Sequence, residues 1–99
     1  MCGHDTYDLP VDYTTLEPRE RRKVREQYIK MQRNRCMWCL ERLDLEPIER
    51  VRNMRIDWTL FPDGFQNYPI HLQHCHTTGM TEGAVHMRCN AHMWQYHGR

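Results

Sequence analysis

Apolar residues recur with helical spacing in two stretches of the chain and alternate with polar ones in a third. Val24, Tyr28 and Met31 fall at i, i+4 and i+7, which is one apolar stripe of an amphipathic helix. Pro18 just inside a polar start, with Glu20 shortly after, places the beginning of that helix at Glu17 or Pro18, and the pattern runs to about Arg33. Further on, Ile70 and Leu72 alternate with His71 and Gln73, as in a strand entered through Tyr68-Pro69. Thr77-Thr78-Gly79 and Glu82-Gly83 bound a short connection, and Ala84-Val85 begins a return strand, so a hairpin is predicted. From Met87 to Tyr96 the pattern is helical again, with Met87, Ala91 and Trp94 on a stripe read as core and Gly98 as its end. A helix, a hairpin and a second helix predict an α+β domain.

The segments between these elements are less regular. Residues 1–15, acidic and with Pro10 in their middle, read as an extended N-terminal arm of low order, leaving residues 16–99 as the domain. Cys2 and His4 are isolated in that arm and receive no role. Between Leu40 and Trp58, Pro47 breaks any long helix, and Arg50, Arg52 and Arg55 alternate with Val51, Met54 and Ile56. Either a short helix or an irregular strand fits there. Phe61-Pro62-Asp63-Gly64-Phe65 is a turn by its Pro-Asp-Gly content.

A chain of 99 residues forms one domain with a modest core, so a metal or another staple is expected. Five cysteines are an odd number. No apolar leader follows Met1, and no apolar run approaches the length of a membrane span. These features predict a cytoplasmic, reducing setting, no membrane partner, and thiolate ligands in place of disulfides.

Cys36 and Cys39 are separated by two residues, and His86 and Cys89 repeat that spacing. Four such ligands close a tetrahedral site around Zn2+ and leave no open position for a substrate, which makes the ion structural. The first pair taken alone would also suit a redox dithiol, but no strand precedes it and no thioredoxin-like pattern surrounds it. Asn90 follows Cys89 and is rotated about 100 degrees around the helix, so it can face the hairpin while Cys89 faces the metal. That places Asn90 beside His74. An imidazole able to take a proton from water, next to an oxygen ligand for a hard divalent cation, is minimal equipment for phosphodiester hydrolysis.

Net charge is only +1, yet residues 1–17 hold no Lys or Arg, and twelve of the fourteen cations beyond them are Arg. Guanidinium suits bidentate contact with phosphate. The first helix concentrates Arg19, Arg21, Arg22, Lys23, Arg25, Lys30 and Arg33 against Glu20 and Glu26. That face can follow a DNA backbone or serve as solvated surface held by Glu-to-Arg pairs.

With these residues in place, the chain resembles HNH endonucleases of the His-Me finger, or ββα-metal, superfamily, and within it small phage-type members similar to recombination endonuclease VII. The similar pattern is a cysteine pair, a strand ending in an acidic residue plus His with a second His two residues on, a Gly-flanked hairpin, and a second metal-ligand pair followed at once by Asn or His. Here these are Cys36 and Cys39, Gln73-His74-Cys75-His76, Thr78-Gly79 through Gly83-Ala84-Val85, and His86, Cys89 and Asn90. The resemblance spans residues 18–98 and also takes in the closing Trp94-Gln95-Tyr96-His97-Gly98.

The resemblance implies a zinc-stapled ββα-metal domain behind a basic amphipathic helix, acting as a DNA endonuclease in a bacterial host cell. It implies that His74 is the general base and that Asn90, aided by Gln73 and His76, holds a catalytic Mg2+ or Mn2+. His76 would orient a phosphate or complete the metal shell. Arg21, Arg22, Arg25, Arg33 and Arg88 are the expected DNA contacts, and His97 could add another to phosphate. Two residues depart from the pattern: Gln73 stands where the family usually has Asp, and His86 where it usually has Cys. A neutral amide offers no charge to a hard cation, so the competing expectation is an idle zinc module that binds nucleic acid or protein. Cys75 points away from His74 under strand alternation and is not expected to be a nucleophile. His71 and His92 are expected to be surface or packing residues. Symmetric double-strand cutting would need a second active site, from a homodimer or another DNA-processing partner.

Overall fold

The computed structural model describes residues 6–98, and Cys2 and His4 lie outside that range. The first helix, α1, spans Pro18–Met31, with Pro at its start. Glu17 caps it reciprocally with Glu20, each side chain accepting from a backbone N–H that the helix leaves unpaired. Arg33 and Asn34 take positive φ angles of 56° and 60°, which ends the helix before Arg33. Val24 and Tyr28 are buried, but Met31, the third residue of the predicted stripe, is 62% exposed. The end of α1 meets β2 through Gln32, whose side-chain amide exchanges two hydrogen bonds with the Ala84 backbone, and Met31 lies outside that contact.

After the Cys36–Leu40 turn, where Leu40 has φ 69°, a short helix α2 covers Glu49–Asn53 and buries Val51. Of the two readings of this region, the short helix is the one formed. Two single-turn 3-10 segments follow, Trp58–Leu60 and Phe65–Asn67. Gly64 between them adopts φ 84°, a left-handed conformation that suits glycine in the Pro-Asp-Gly turn.

The hairpin pairs β1, Ile70–His74, with β2, Thr81–His86, antiparallel, matching Leu72 with Ala84 and Gln73 with Gly83. β2 thus begins three residues before Ala84. The register breaks between Gln73 and His74, where His74 pairs with Thr81. Helix α3 covers Met87–His97 and ends on Gly98 in the left-handed conformation. Cys89, Asn90, Ala91, His92 and Met93 are buried in sequence, so more than one face of α3 is covered. Trp94 was expected in the core; it is 46% exposed and Met93 fills the interior instead. A helix covered from several sides has no single stripe to read.

The core joins Val24 and Tyr28 of α1 to Val51, Leu72, Ala84, Val85, Cys89 and Met93. Each fully buried side chain of Val or Met size contributes about 1.5–3 kcal/mol. The arm, expected to be loose, is tied down over its described part. Tyr13 N–H donates to the Gly79 carbonyl at 2.8 Å, Thr81 N–H to the Val11 carbonyl at 2.9 Å, and Val11 N–H to Thr81 Oγ1 at 3.0 Å. The backbone of Tyr7 and the side-chain amide of Gln27 exchange two hydrogen bonds of 2.8 Å. The arm satisfies backbone groups that the two-stranded hairpin would otherwise leave open.

Candidate functional site

Two sites meet at α3. On one side, Cys36, Cys39, His86 and Cys89 bring their ligand atoms within 4.8 Å of one another, a Cys3His group able to hold a metal ion such as zinc. The Cys36 turn supplies one pair, and the junction of β2 and α3 supplies the other. His86 Nδ1 lies 3.5 Å from Cys39 Sγ and 3.6 Å from Cys89 Sγ. Its Nε2 is 2.9 Å from the carbonyl oxygens of both Arg42 and Leu45. Carbonyls only accept, so Nε2 carries a hydrogen, and Nδ1 is the nitrogen that faces the sulfurs. Orientation of a ligating imidazole by a backbone carbonyl is a recurrent second layer of metal sites. The N–H groups of Trp38 and Cys39 donate to Cys36 Sγ at 3.3 and 3.5 Å.

The electrostatics of the cluster match that chemistry. A hydrogen bond from the Cys89 side chain, opposed by burial and aided by His86, holds the Cys36 thiol down to about 3. Burial alone would lower the proton affinity of His86, but hydrogen bonds to Cys36 and the Arg42 carbonyl, with the nearby thiolate charge, raise it to about 9. Cys89 is pushed up, chiefly by its bond to Cys36 and then by burial. Surroundings that hold negative sulfur against positive charge also favour a divalent cation.

On the other side of α3 lies a cavity of about 740 Å³. Gln73, His74, His76 and Asn90 all line it, and so do Arg21, Arg22 and Arg25 of α1. The His74 ring stacks on Tyr13 of the arm, with centroids 3.9 Å apart and planes 7° from parallel. Arg21 sits over the Tyr13 ring at 4.1 Å. Burial, then the charges of His76 and Arg21, lower the proton affinity of His74, and Glu82 pulls the other way. His76 lies 4.6 Å from the His74 ring, and its Nε2 accepts from Trp94 Nε1 at 2.7 Å. Its remaining ring nitrogen therefore carries the hydrogen and is a donor.

Asn90 faces the hairpin, as its place on the helix predicts, but its direct partner is His71. Asn90 Nδ2 and His71 Nδ1 are 3.1 Å apart. Asn90 Oδ1 is buried with no hydrogen-bond partner, an oxygen whose desolvation nothing in the protein offsets. His71, expected to be mere surface or packing, thus belongs to the site. Burial lowers its proton affinity. Strict alternation sets His71 and His74 on opposite faces of β1, and the register break at Gln73 accompanies their meeting at one cavity. Gln73 is 1% exposed and spends its Nε2 on the His74 carbonyl at 3.0 Å and on Glu82 Oε1 at 3.4 Å.

Three expected phosphate contacts lie elsewhere. Arg88 Nη2 and Nε donate to the carbonyls of Met54 and Val51 at 2.7 and 3.3 Å, so this residue clasps the end of α2 to α3. Arg33 sits in the positive-φ turn after α1, outside the cavity wall. His97 packs on Trp38 and His92, with centroid distances of 5.2 and 5.3 Å, away from the cavity. Helical phase alone gives no information on which neighbour the last turn meets. Cys75 belongs to neither site, and hydrogen bonds from Thr78, then Thr77, lower its proton affinity. Tyr13 escaped sequence reasoning because its stacking on His74 depends on where the arm docks.

No protein-family model matches the chain, and neither a curated protein nor a solved structure matches it. Among the described residues no helix is long and apolar enough to cross a membrane.

Proposed function

We propose that this chain is a metal-dependent DNA endonuclease of the HNH, or ββα-metal, type. The observation that carries the reading is the cavity, where His74 from β1 and Asn90 from α3 meet the guanidinium groups of Arg21, Arg22 and Arg25. The donor set suits a hard cation in one respect: Asn90 Oδ1 is a buried carbonyl oxygen without a partner, and Mg2+ and Mn2+ favour oxygen ligands. Asn90 would hold such an ion, with Gln73 in the same cavity lining, and the ion would polarise the scissile phosphate and steady the departing 3′ oxygen.

The remaining work falls to the chain itself. His74, whose neutral form is favoured first by burial and then by His76 and Arg21, takes a proton from water as general base. Stacking on Tyr13 holds its ring in one plane. His76, with Nε2 engaged by Trp94, presents an N–H that suits a phosphate oxygen better than a metal. Of its two expected roles, orientation of phosphate is the better supported. The arginines of α1 neutralise the strand backbone, giving salt-sensitive binding without sequence preference. Zinc on Cys36, Cys39, His86 and Cys89 ties the hairpin to α3 and takes no part in the reaction.

Incubation with supercoiled plasmid and Mg2+ or Mn2+ tests this. Metal-dependent nicking is expected in the native protein and abolished in His74→Ala, with zinc content and melting unchanged. Undiminished nicking by that variant removes the mechanism. The neutral Gln73, its Nε2 held by the His74 carbonyl and Glu82, favours a second reading, an idle zinc module that binds nucleic acid or protein. That reading predicts no cleavage with either ion.

A further inference from the structure

We propose that the aromatic wall of the cavity is a subsite for one unstacked base of a DNA strand, an inference that rests on the reading of this cavity as a nucleic-acid site. The wall is made by Leu60, Phe61, Phe65 and Tyr68. Leu60 is 64% exposed and Tyr68 65%, so neither serves as core. Apolar groups held in water at the mouth of a charged cavity call for a ligand with an apolar face.

The wall is built rather than loose. Asp57 caps the first 3-10 turn by accepting from the Thr59 N–H at 3.1 Å and from its hydroxyl at 2.6 Å. The Phe61 and Phe65 rings lie 4.6 Å apart, and Phe65 meets His71 edge-on at 4.7 Å, which connects the wall to Asn90. Arg21, Arg22 and Arg25 line the same cavity. Guanidinium and aromatic carbon in one cavity match the two halves of a nucleotide, its phosphate and its base. Stacking of bases on aromatic side chains is how single strands are commonly held.

A cavity of about 740 Å³ falls within the ~300–1,000 Å³ of small-ligand sites, which is room for one nucleotide. Paired bases hide their faces in the stack. A base that stacks on the wall must therefore be unpaired, as in a gap, flap, bubble or branch, or turned out of the helix.

The test uses the zinc-loaded protein without added Mg2+ or Mn2+, and duplexes carrying 2-aminopurine either unpaired or opposite thymine. Quenching on binding is expected for the unpaired probe and not for the paired one. Tyr68→Ala and Phe65→Leu should weaken binding of the unpaired probe roughly five- to a hundred-fold and leave affinity for the fully paired duplex unchanged. Equal binding of both probes, with no effect of either variant, overturns the subsite. So does self-association that Tyr68→Ala abolishes, because the wall would then cover a second copy. Selective quenching by a protein that never nicks upholds the subsite and rejects the nuclease. Nicking without selective quenching does the reverse.

Discussion

Gln73 decides how strong the proposed catalytic ion site can be. Its amide is 1% exposed, and Nε2 is the donor to the His74 carbonyl. Gln73→Asp replaces a neutral oxygen by a charged one, and Mn2+ affinity measured by titration should rise on the order of tenfold, since ligand charge tunes such sites. The same change strips the His74 carbonyl of its donor and sets a carboxylate near Glu82. Melting should therefore report a loss of about 1–3 kcal/mol. His71 acts on the neighbouring ligand: by accepting from Asn90 Nδ2 it leaves Oδ1 as the free end of that amide. His71→Leu should cost Mn2+ affinity about 10–100-fold, the usual effect of losing an outer-layer partner, with zinc content unchanged. Unaltered Mn2+ binding would show that the amide needs no such holder. Sequence patterning revealed His74 and Asn90 because motif spacing is local. It missed His71 because the bond to Asn90 joins residues nineteen apart.

At the scale of elements, the arm, α1 and the hairpin converge on Thr81, which is 2% exposed. Its Oγ1 lies 2.9 Å from the Tyr28 hydroxyl and 3.0 Å from the Val11 N–H. Thr81→Val keeps the shape and removes both bonds, leaving a buried hydroxyl and an amide without a partner. Thermal or urea melting should show a loss of about 1–3 kcal/mol, and a stability equal to that of the native protein would mean water takes over both groups. The elements differ in how far their sequences announce them. α1 carries its own start in Glu17, Pro18 and Glu20, and α3 its own stop in Gly98. The docking of residues 6–16 has no such local mark: it follows from the open backbone groups of the hairpin loop and β2, which exist only once the hairpin has formed.

The whole molecule has a small core, and a metal ion on the Cys3His group would add a tie between the Cys36 turn and the start of α3. One zinc per chain is expected by elemental analysis. Chelation should unfold the protein cooperatively, because an ion bound only by the folded state contributes its binding energy to folding. Cys36→Ser should lose the metal and the fold, whereas Cys75→Ser should keep both; metal loss on changing Cys75 would refute the ligand set. What the sequence by itself determined was whatever depends on near neighbours: helix and hairpin periods, caps, turn residues, and the i to i+3 spacing of each ligand pair. The tertiary structure alone decided which of several eligible groups came together. It paired Asn90 with His71, laid Tyr13 on His74, sent Arg88 to α2 instead of the cavity, and brought aromatic side chains into one cavity with the arginines. Those outcomes depend on docking between segments far apart in the chain, and the free energy that selects them is that of burying one element against another, a quantity no single segment contains.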